Sequence, residues 1–201
     1  MKIINIDKWT NAYKMAGHTD EMKKWYEQRT ARHIKLVGKY CEKISKEFPE
    51  FEELIERAKT HDNSKYESPE MQPYIWLTWK YKCKDDGKDF SSYDPPEDID
   101  ERMHEATEHH VLNNSHHPEY HCGKKEDVIN RGNRDKPSGE VLDATKMPDL
   151  DIAEMCADWC AMSEEKGTDP KEWADKNINK RWKFTDEQSK LIYKLIESVW
   201  K

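Results

Sequence analysis

Apolar residues along this 201-residue chain recur mainly at three- and four-residue intervals, the period of helices that bury one face. Thr19 reads as the cap of a helix running to about Phe48, with Tyr26, Thr30, His33, Val37, Tyr40 and Ile44 stepping along one side. His33 is therefore expected to point inward. After Pro49 the same spacing carries Phe51, Leu54, Ile55, Ala58, His61 and Asp62, which predicts a second helix whose apolar face ends in a histidine and a carboxylate. Ser68-Pro69 opens a third helix bearing Tyr74, Ile75, Trp76, Leu77 and Trp79, with Pro73 early enough to be a modest obstacle. A fourth, from about Pro96, lines up Ile99, Met103, Ala106 and His110; His109 lies at the edge of that stripe and His104 almost opposite it. A fifth, from Asp149 to about Glu165, buries Ile152, Met155, Trp159 and Met162, bordered two turns apart by Asp151 and Asp158. The sixth, at about 185–200, opens on Thr185-Asp186-Glu187-Gln188, a capping-box pattern, and buries Leu191, Ile192, Leu195, Ile196 and Val199.

These elements predict one all-α domain over 1–201. Residues 82–97 are charged and rich in turn formers, and 122–148 read as a long irregular loop, a length that in a folded domain goes with function or disorder. Residues 166–183, with Trp173 and Trp182 among polar positions, predict a short helix and turn wrapping the surface. The strand signal is strongest in KIINI at 2–6, a short strand or an ordered tail.

Composition complicates this picture. Leu, Ile, Val and Phe make up 30 of the 201 residues, below the roughly 20% that separates most folded chains from disordered ones. Net charge is only −7, however, and eight Trp, nine Tyr and eight Met supply large buriable surface. The chain should fold, with something besides aliphatic side chains fixing its centre. No apolar run is long enough to span a membrane, and MKIINIDKW lacks the apolar core of a signal peptide, so a cytoplasmic protein is expected. Five cysteines in no regular framework fit a reducing compartment; Cys156 and Cys160, four apart, read more readily as core thiols than as a redox or metal motif. Mild acidity without a basic stripe argues against a dedicated nucleic-acid binder and leaves a small phosphorylated substrate open.

Six of the nine histidines fall within 104–121. Placement is more informative than number. His33, His61, Asp62, His110 and Asp158 lie on or beside the inward faces of four helices, where imidazoles and carboxylates must be paired, hydrogen-bonded or metal-bound. Convergence of such groups from several helices is how metal sites are built into bundle cores.

The order His33, His61-Asp62, a histidine-rich stretch, then Asp158 resembles the H…HD…D signature of the HD-domain metal-dependent phosphohydrolase superfamily. HDNSK at 61–65, EHHVLNNSHHPEY at 108–120 and EMCADWCAM at 154–162 look especially like an uncharacterised HD-like group of bacteria and phages. The likeness spans about residues 25–165. It implies an HD-like helical bundle around a central site of one or two metal ions, with hydrolysis of phosphate esters, most often of nucleotides; a minority of the superfamily use a di-iron centre for oxygenation. Residue by residue, it makes His33, His61, Asp62 and Asp158 the primary metal ligands, with Asp62 bridging if two ions bind. His110, His116 and His117 match the extra histidines of binuclear members, His109 competing with His110. Lys65 matches a lysine that can neutralise substrate phosphate, and is a catalytic candidate with Asp62. The sequence departs from the pattern in having no glycine after the HD pair and in an insertion-like loop between His117 and Asp158.

Mixed imidazole and carboxylate ligands suit Mn, Fe, Co, Ni or Zn better than Mg. Asp151 or Glu154 is placed to orient ligand imidazoles from behind. Taken singly these residues also have plainer readings. His61-Asp62 fits an ordinary helix C-terminus, His33 a satisfied core histidine, Asp158 a helix-surface acid, and His116-His117 a polar loop before Pro118. The cations of the 122–148 loop (Lys124, Lys125, Arg131, Arg134, Lys136) read as solvated, or as a lid over a phosphate. A non-catalytic binding or regulatory protein that keeps a metal for stability is the alternative from outside enzymology.

Overall fold

Thr19 starts the longest helix. Its Oγ1 accepts the Met22 N–H at 3.2 Å, satisfying one of the donors a helix start leaves open, and helix α1 then runs Asp20–Glu47. The computed structural model describes residues 17–122 and 141–200. Further helices are α2 (Leu54–Arg57), α3 (Met71–Asp85), α4 (Ile99–Asn113), α5 (Asp149–Lys166), α6 (Pro170–Asn177) and α7 (Asp186–Val199). Strand among the described residues is confined to β1 (Leu142–Asp143) and β2 (Trp182–Lys183), paired parallel with Leu142 opposite Trp182. The architecture is an all-α bundle, and no described helix is long and apolar enough to cross a membrane.

The chain forms two compact units. One holds the described residues up to Thr30 together with Ser64–Thr107; the other holds Ala31–Asn63 and the described residues from Glu108 on. In the first, Trp76 and Trp79 of α3, Tyr26 and Met22 of α1, and Ile99 and Met103 of α4 make a buried cluster. Gly17 is fitted to this core: its φ is +59°, and a Cβ there would meet the Trp76 ring at 3.2 Å.

In the second unit α5 is the central element. Alternation of large residues with Ala153, Cys156, Ala157, Cys160 and Ala161 lets neighbours approach closely, and α2, α6 and α7 all pack on it. Gly167, at φ +63°, ends it. Helix α7 carries the expected capping box: Thr185 Oγ1 accepts from the Gln188 N–H (3.1 Å) and Gln188 Oε1 from the Thr185 N–H (2.9 Å).

Several expectations need correction. The helix predicted after Pro49 is broken into a 3-10 turn at Pro49–Phe51, the four-residue α2, and turns in which the Thr60 and Asn63 amides bond back only three residues. Asp62 ends it with φ +59°, a left-handed conformation that no α-helix contains. Ile55, expected inside, is exposed, while Met162 and Leu191 are half-buried. Trp182, read as a surface residue, is 1% exposed, because pairing of β2 with β1 draws it inward to stack on Trp159 (ring centres 5.9 Å apart). Helix α3 continues to Asp85, into the stretch read as loop, and 141–148 include β1 rather than irregular chain alone. KIINI at 2–6 and the Lys124–Lys136 cations lie outside the described residues.

Candidate metal centre

Asp62 is the hub of the second unit. It is 1% exposed, and the left-handed turn that carries it directs its carboxylate into the protein; aspartate tolerates this conformation better than most side chains, and such strain concentrates at functional sites. Its Oδ2 lies 3.6 Å from both His33 Nε2 and His61 Nε2. Its Oδ1 lies 3.2 Å from His110 Nε2 and 3.6 Å from His116 Nε2. Asp158 Oδ1 closes the first set, 3.1 Å from His33 Nε2. His117 adjoins the second, its ring centre 4.8 Å from that of His110 and 4.2 Å from that of His116.

The side chains come from four directions: His33 from the middle of α1, His61 and Asp62 from the turn after α2, His110 from the end of α4 with His116 and His117 from the turn beyond it, and Asp158 from α5. All are buried except Asp158, whose side chain is 14% exposed. The structure thus brings every residue expected as a metal ligand into one cluster. It also separates the competitors. His110 is buried against Asp62, whereas the half-buried His109 has its carbonyl capped by Asn113 Nδ2 (2.7 Å), and His104 is exposed. Lys65 belongs to the first unit; there its carbonyl accepts the Tyr26 hydroxyl, and its Nζ stands 5.7 Å from the centre of the Tyr74 ring.

Buried Nε2 atoms decide what this arrangement suits. His61 Nδ1 lies 2.8 Å from Glu154 Oε1; a neutral ring that donates there keeps a lone pair on Nε2, an atom with no hydrogen-bond partner among the described residues, and His116 Nε2 has none either. Each faces an Asp62 oxygen at 3.6 Å, beyond hydrogen-bond length. Opposed lone pairs in a dry interior are unfavourable unless a proton or a metal cation lies between them. Separations of 3.1–3.6 Å are also close to the edges, about 3.0–3.5 Å, of a coordination polyhedron with metal–ligand lengths of about 2.0–2.2 Å. The groups His33-His61-Asp62, His110-His116-His117 and His61-His116-Glu154 each gather their donor atoms within 4.8 Å, and these buried clusters can hold a metal ion.

Helix α5 supplies acids behind the cluster. Glu154 Oε2 accepts from Arg57 Nε (2.7 Å), and Asp151 accepts from Arg57 Nη2 and from Ser115 Oγ (2.9 Å). Glu165 Oε2 lies 3.7 Å from His33 Nδ1. Burial alone would raise the carboxyl pKa values of Asp151, Glu154 and Asp158, but the histidine and arginine contacts outweigh it. Bonds from His121, Arg57 and Ser115 hold the Asp151 carboxyl below the usual range; His61 does so for Glu154, and His33 draws Asp158 far down. The two neighbouring imidazoles part ways: burial pushes the His116 pKa down to about 3, so that ring is neutral at pH 7, whereas for His61 the Asp62 and Glu154 carboxylates outweigh burial and raise the pKa above its ordinary value.

Arg57 and Glu165 were not singled out from the sequence. Arg57 stands four residues before His61, and Glu165 repeats the seven-residue interval from Asp151 to Asp158, so a heptad reading of acids along α5 would have found the latter. His121 is an outlying member: its Nε2 donates to the Ser115 carbonyl (2.8 Å) and lies 3.3 Å from Asp151 Oδ2.

The fold and site define an all-α bundle with a buried histidine–carboxylate centre. Residues 22–198 match the model of a family of unknown function (DUF5662), and the chain belongs to that family. No curated protein and no solved structure matches it.

Proposed function

We propose that this protein is a metal-dependent phosphohydrolase of the HD type, acting on a nucleotide or a related small phosphate ester. The observation that carries the reading is one buried carboxylate, Asp62, with two imidazoles facing each of its oxygens. His33, His61, Asp62 and Asp158 would hold one divalent transition ion (Mn, Fe, Co, Ni or Zn), and Asp62, His110 and His116, with His117 beside them, a second. Such ions supply Lewis acidity, which acidifies a water and draws charge from a phosphoryl oxygen. The chain's own part is to keep the donors dry and fixed. Glu154 holds the His61 tautomer, His33 is held between Asp158 and Glu165, and Arg57 balances the negative charge of α5. The part the resemblance gives Lys65, stabilising a phosphate, rests on its position three residues after Asp62. Five free cysteines support a reducing, cytoplasmic setting.

Phosphate release from a panel of nucleotides and sugar phosphates, with Mn, Co or Ni added, tests the activity. Full metal occupancy without turnover on any of them overturns it. A second reading, di-iron oxygenation, is favoured by the three histidines on the Oδ1 side of Asp62, a nitrogen-rich set that suits iron. Oxygen consumption by the iron-loaded protein distinguishes the two.

A further inference from the structure

His116 and His117 are consecutive, yet their ring centres lie 4.2 Å apart and both stand against His110, at 6.0 and 4.8 Å. Neighbouring side chains diverge by about 100° on a helix and point to opposite faces of a strand, so neither regular element would bring both rings to one place. They lie in a turn instead. The His117 N–H bonds to the Asn114 carbonyl (3.0 Å), and Pro118–His121 is a 3-10 turn whose Tyr120 N–H returns to the His117 carbonyl (3.0 Å). A turn positions side chains less firmly than a helix unless other groups fix its ends. Here both ends are fixed, and to the same buried carboxylate. Before the histidine pair, Ser115 Oγ donates to Asp151 Oδ1 (2.9 Å); after it, His121 Nε2 lies 3.3 Å from Asp151 Oδ2. The same His121 nitrogen donates to the Ser115 carbonyl (2.8 Å), which closes residues 115–121 into a ring. Arg57 Nη2 donates both to Ser115 Oγ (2.7 Å) and to Asp151 Oδ1, so the serine hydroxyl accepts from one charged group, donates to another and is not free to rotate.

We propose that Ser115 and His121 are positioning residues which, clasped on Asp151, hold His116 and His117 against the Oδ1 side of Asp62. Hydrogen bonds to an ionised carboxylate are short and strong, and two of them on separate oxygens set the turn's orientation as well as its place. Helix α5 thereby locates both halves of the centre. Asp158 enters the first half directly, and Asp151, seven residues earlier on the same helix, places the second through the turn. His33 and His61 have supports of their own in Glu165 and Glu154, so loss of the clasp should release the second half and leave the first. The consequence for metal binding rests on the two-ion centre proposed above; the clasp itself rests only on these bonds.

Hydrogen exchange of the metal-free, full-length chain reads the clasp directly. Ser115→Ala and His121→Ala should each speed exchange of the His117 and Tyr120 amides about tenfold and leave the amides around His33 unchanged. Ser115→Thr, which keeps the hydroxyl, and His121→Gln, which keeps an N–H donor, should exchange as the native chain does. Co²⁺ titration reads the consequence: Ser115→Ala should weaken the second ion about ten- to a hundredfold and spare the first, a split that general destabilisation does not produce. Melting curves identify the folded variants, and where one alanine variant fails to fold the other carries the test. Native-like exchange in the alanine variants, or equal weakening of both ions, overturns the clasp. A native chain that binds fewer than two Co²⁺ ions, while its alanine variants lose protection at those amides, overturns the two-ion occupancy and upholds the clasp.

Discussion

Around Trp76 the first unit packs Met22, Tyr26, Ile75, Trp79, Cys83, Ile99 and Met103, with Glu70, Thr30 and Thr78 buried among its described polar residues. The second unit buries the aromatic side chains Tyr40, Phe48, Phe51, Trp159, Trp182 and Phe184, but also five histidines and the acids Asp62, Glu119, Asp151 and Glu154. Shortage of Leu, Ile, Val and Phe is thus met in two ways. Large aromatic and sulfur side chains replace aliphatic volume in one unit, and in the other part of the interior is given to a charge network. The first arrangement is stable by area removed from water; the second depends on every polar group finding a partner, since an unmatched one costs far more than a lost methyl.

That contrast yields predictions with different signatures. Trp76→Ala removes one of the two largest fully buried side chains of the first unit, and chemical denaturation should register a loss of about 3–5 kcal/mol. Metal affinity of the folded fraction should not change; a parallel loss of metal would mean that the two cores are not separable. On the proposed reading the second unit is stabilised by a bound metal, and stripping it by chelation should do the converse. A site filled at 100–1,000 times its Kd contributes about 3–4 kcal/mol, and hydrogen exchange should show protection falling in the second unit around His33, His61 and His110, with α3 little affected. Arg57→Ala leaves Glu154 and Asp151 without their cation; with the arginine side chain 23% exposed, about 2 kcal/mol of destabilisation is expected in thermal melts. Thr185→Ala, which breaks the capping box of α7, should cost about 1 kcal/mol without touching the centre.

The smallest effect lies on the surface. Glu164 accepts from Lys39 Nζ (2.7 Å) and from the Tyr40 hydroxyl (2.7 Å), bonds that lower its pKa below 4.5. Because the folded value is the lower one, this stabilisation is present above about pH 4.5 and is lost as pH falls through the folded pKa. Lys39→Ala should therefore cost less than about 1 kcal/mol at neutral pH and nothing in strong acid, measured by melting at a series of pH values.

Helices α1, α3, α4, α5 and α7 were readable because each buries a face long enough for its 3.6-residue period to show, and because Thr185 and Thr19 are unambiguous caps. The segment from Pro49 to Asp62 was not. Its apolar residues keep helical spacing, but the turns that break it arise from three-residue hydrogen bonds and a left-handed Asp62, neither of which periodicity records. Trp182 was misplaced for a related reason: its burial depends on pairing with Leu142, 40 positions earlier in the chain.

For the candidate centre, inward placement on several helices nominated His33, His61, Asp62, His110 and Asp158, while His116 and His117 were added only by the resemblance to HD domains. Which oxygen of Asp62 each imidazole faces, why His110 rather than His109 turns inward, and how Arg57 and Glu154 buttress the rings were decided only by the tertiary structure. These depend on the directions of side chains brought together from separate elements. A linear pattern shows on which face of a helix a residue lies, whereas a site is defined by distances of 3–4 Å between faces that meet only when the chain has folded.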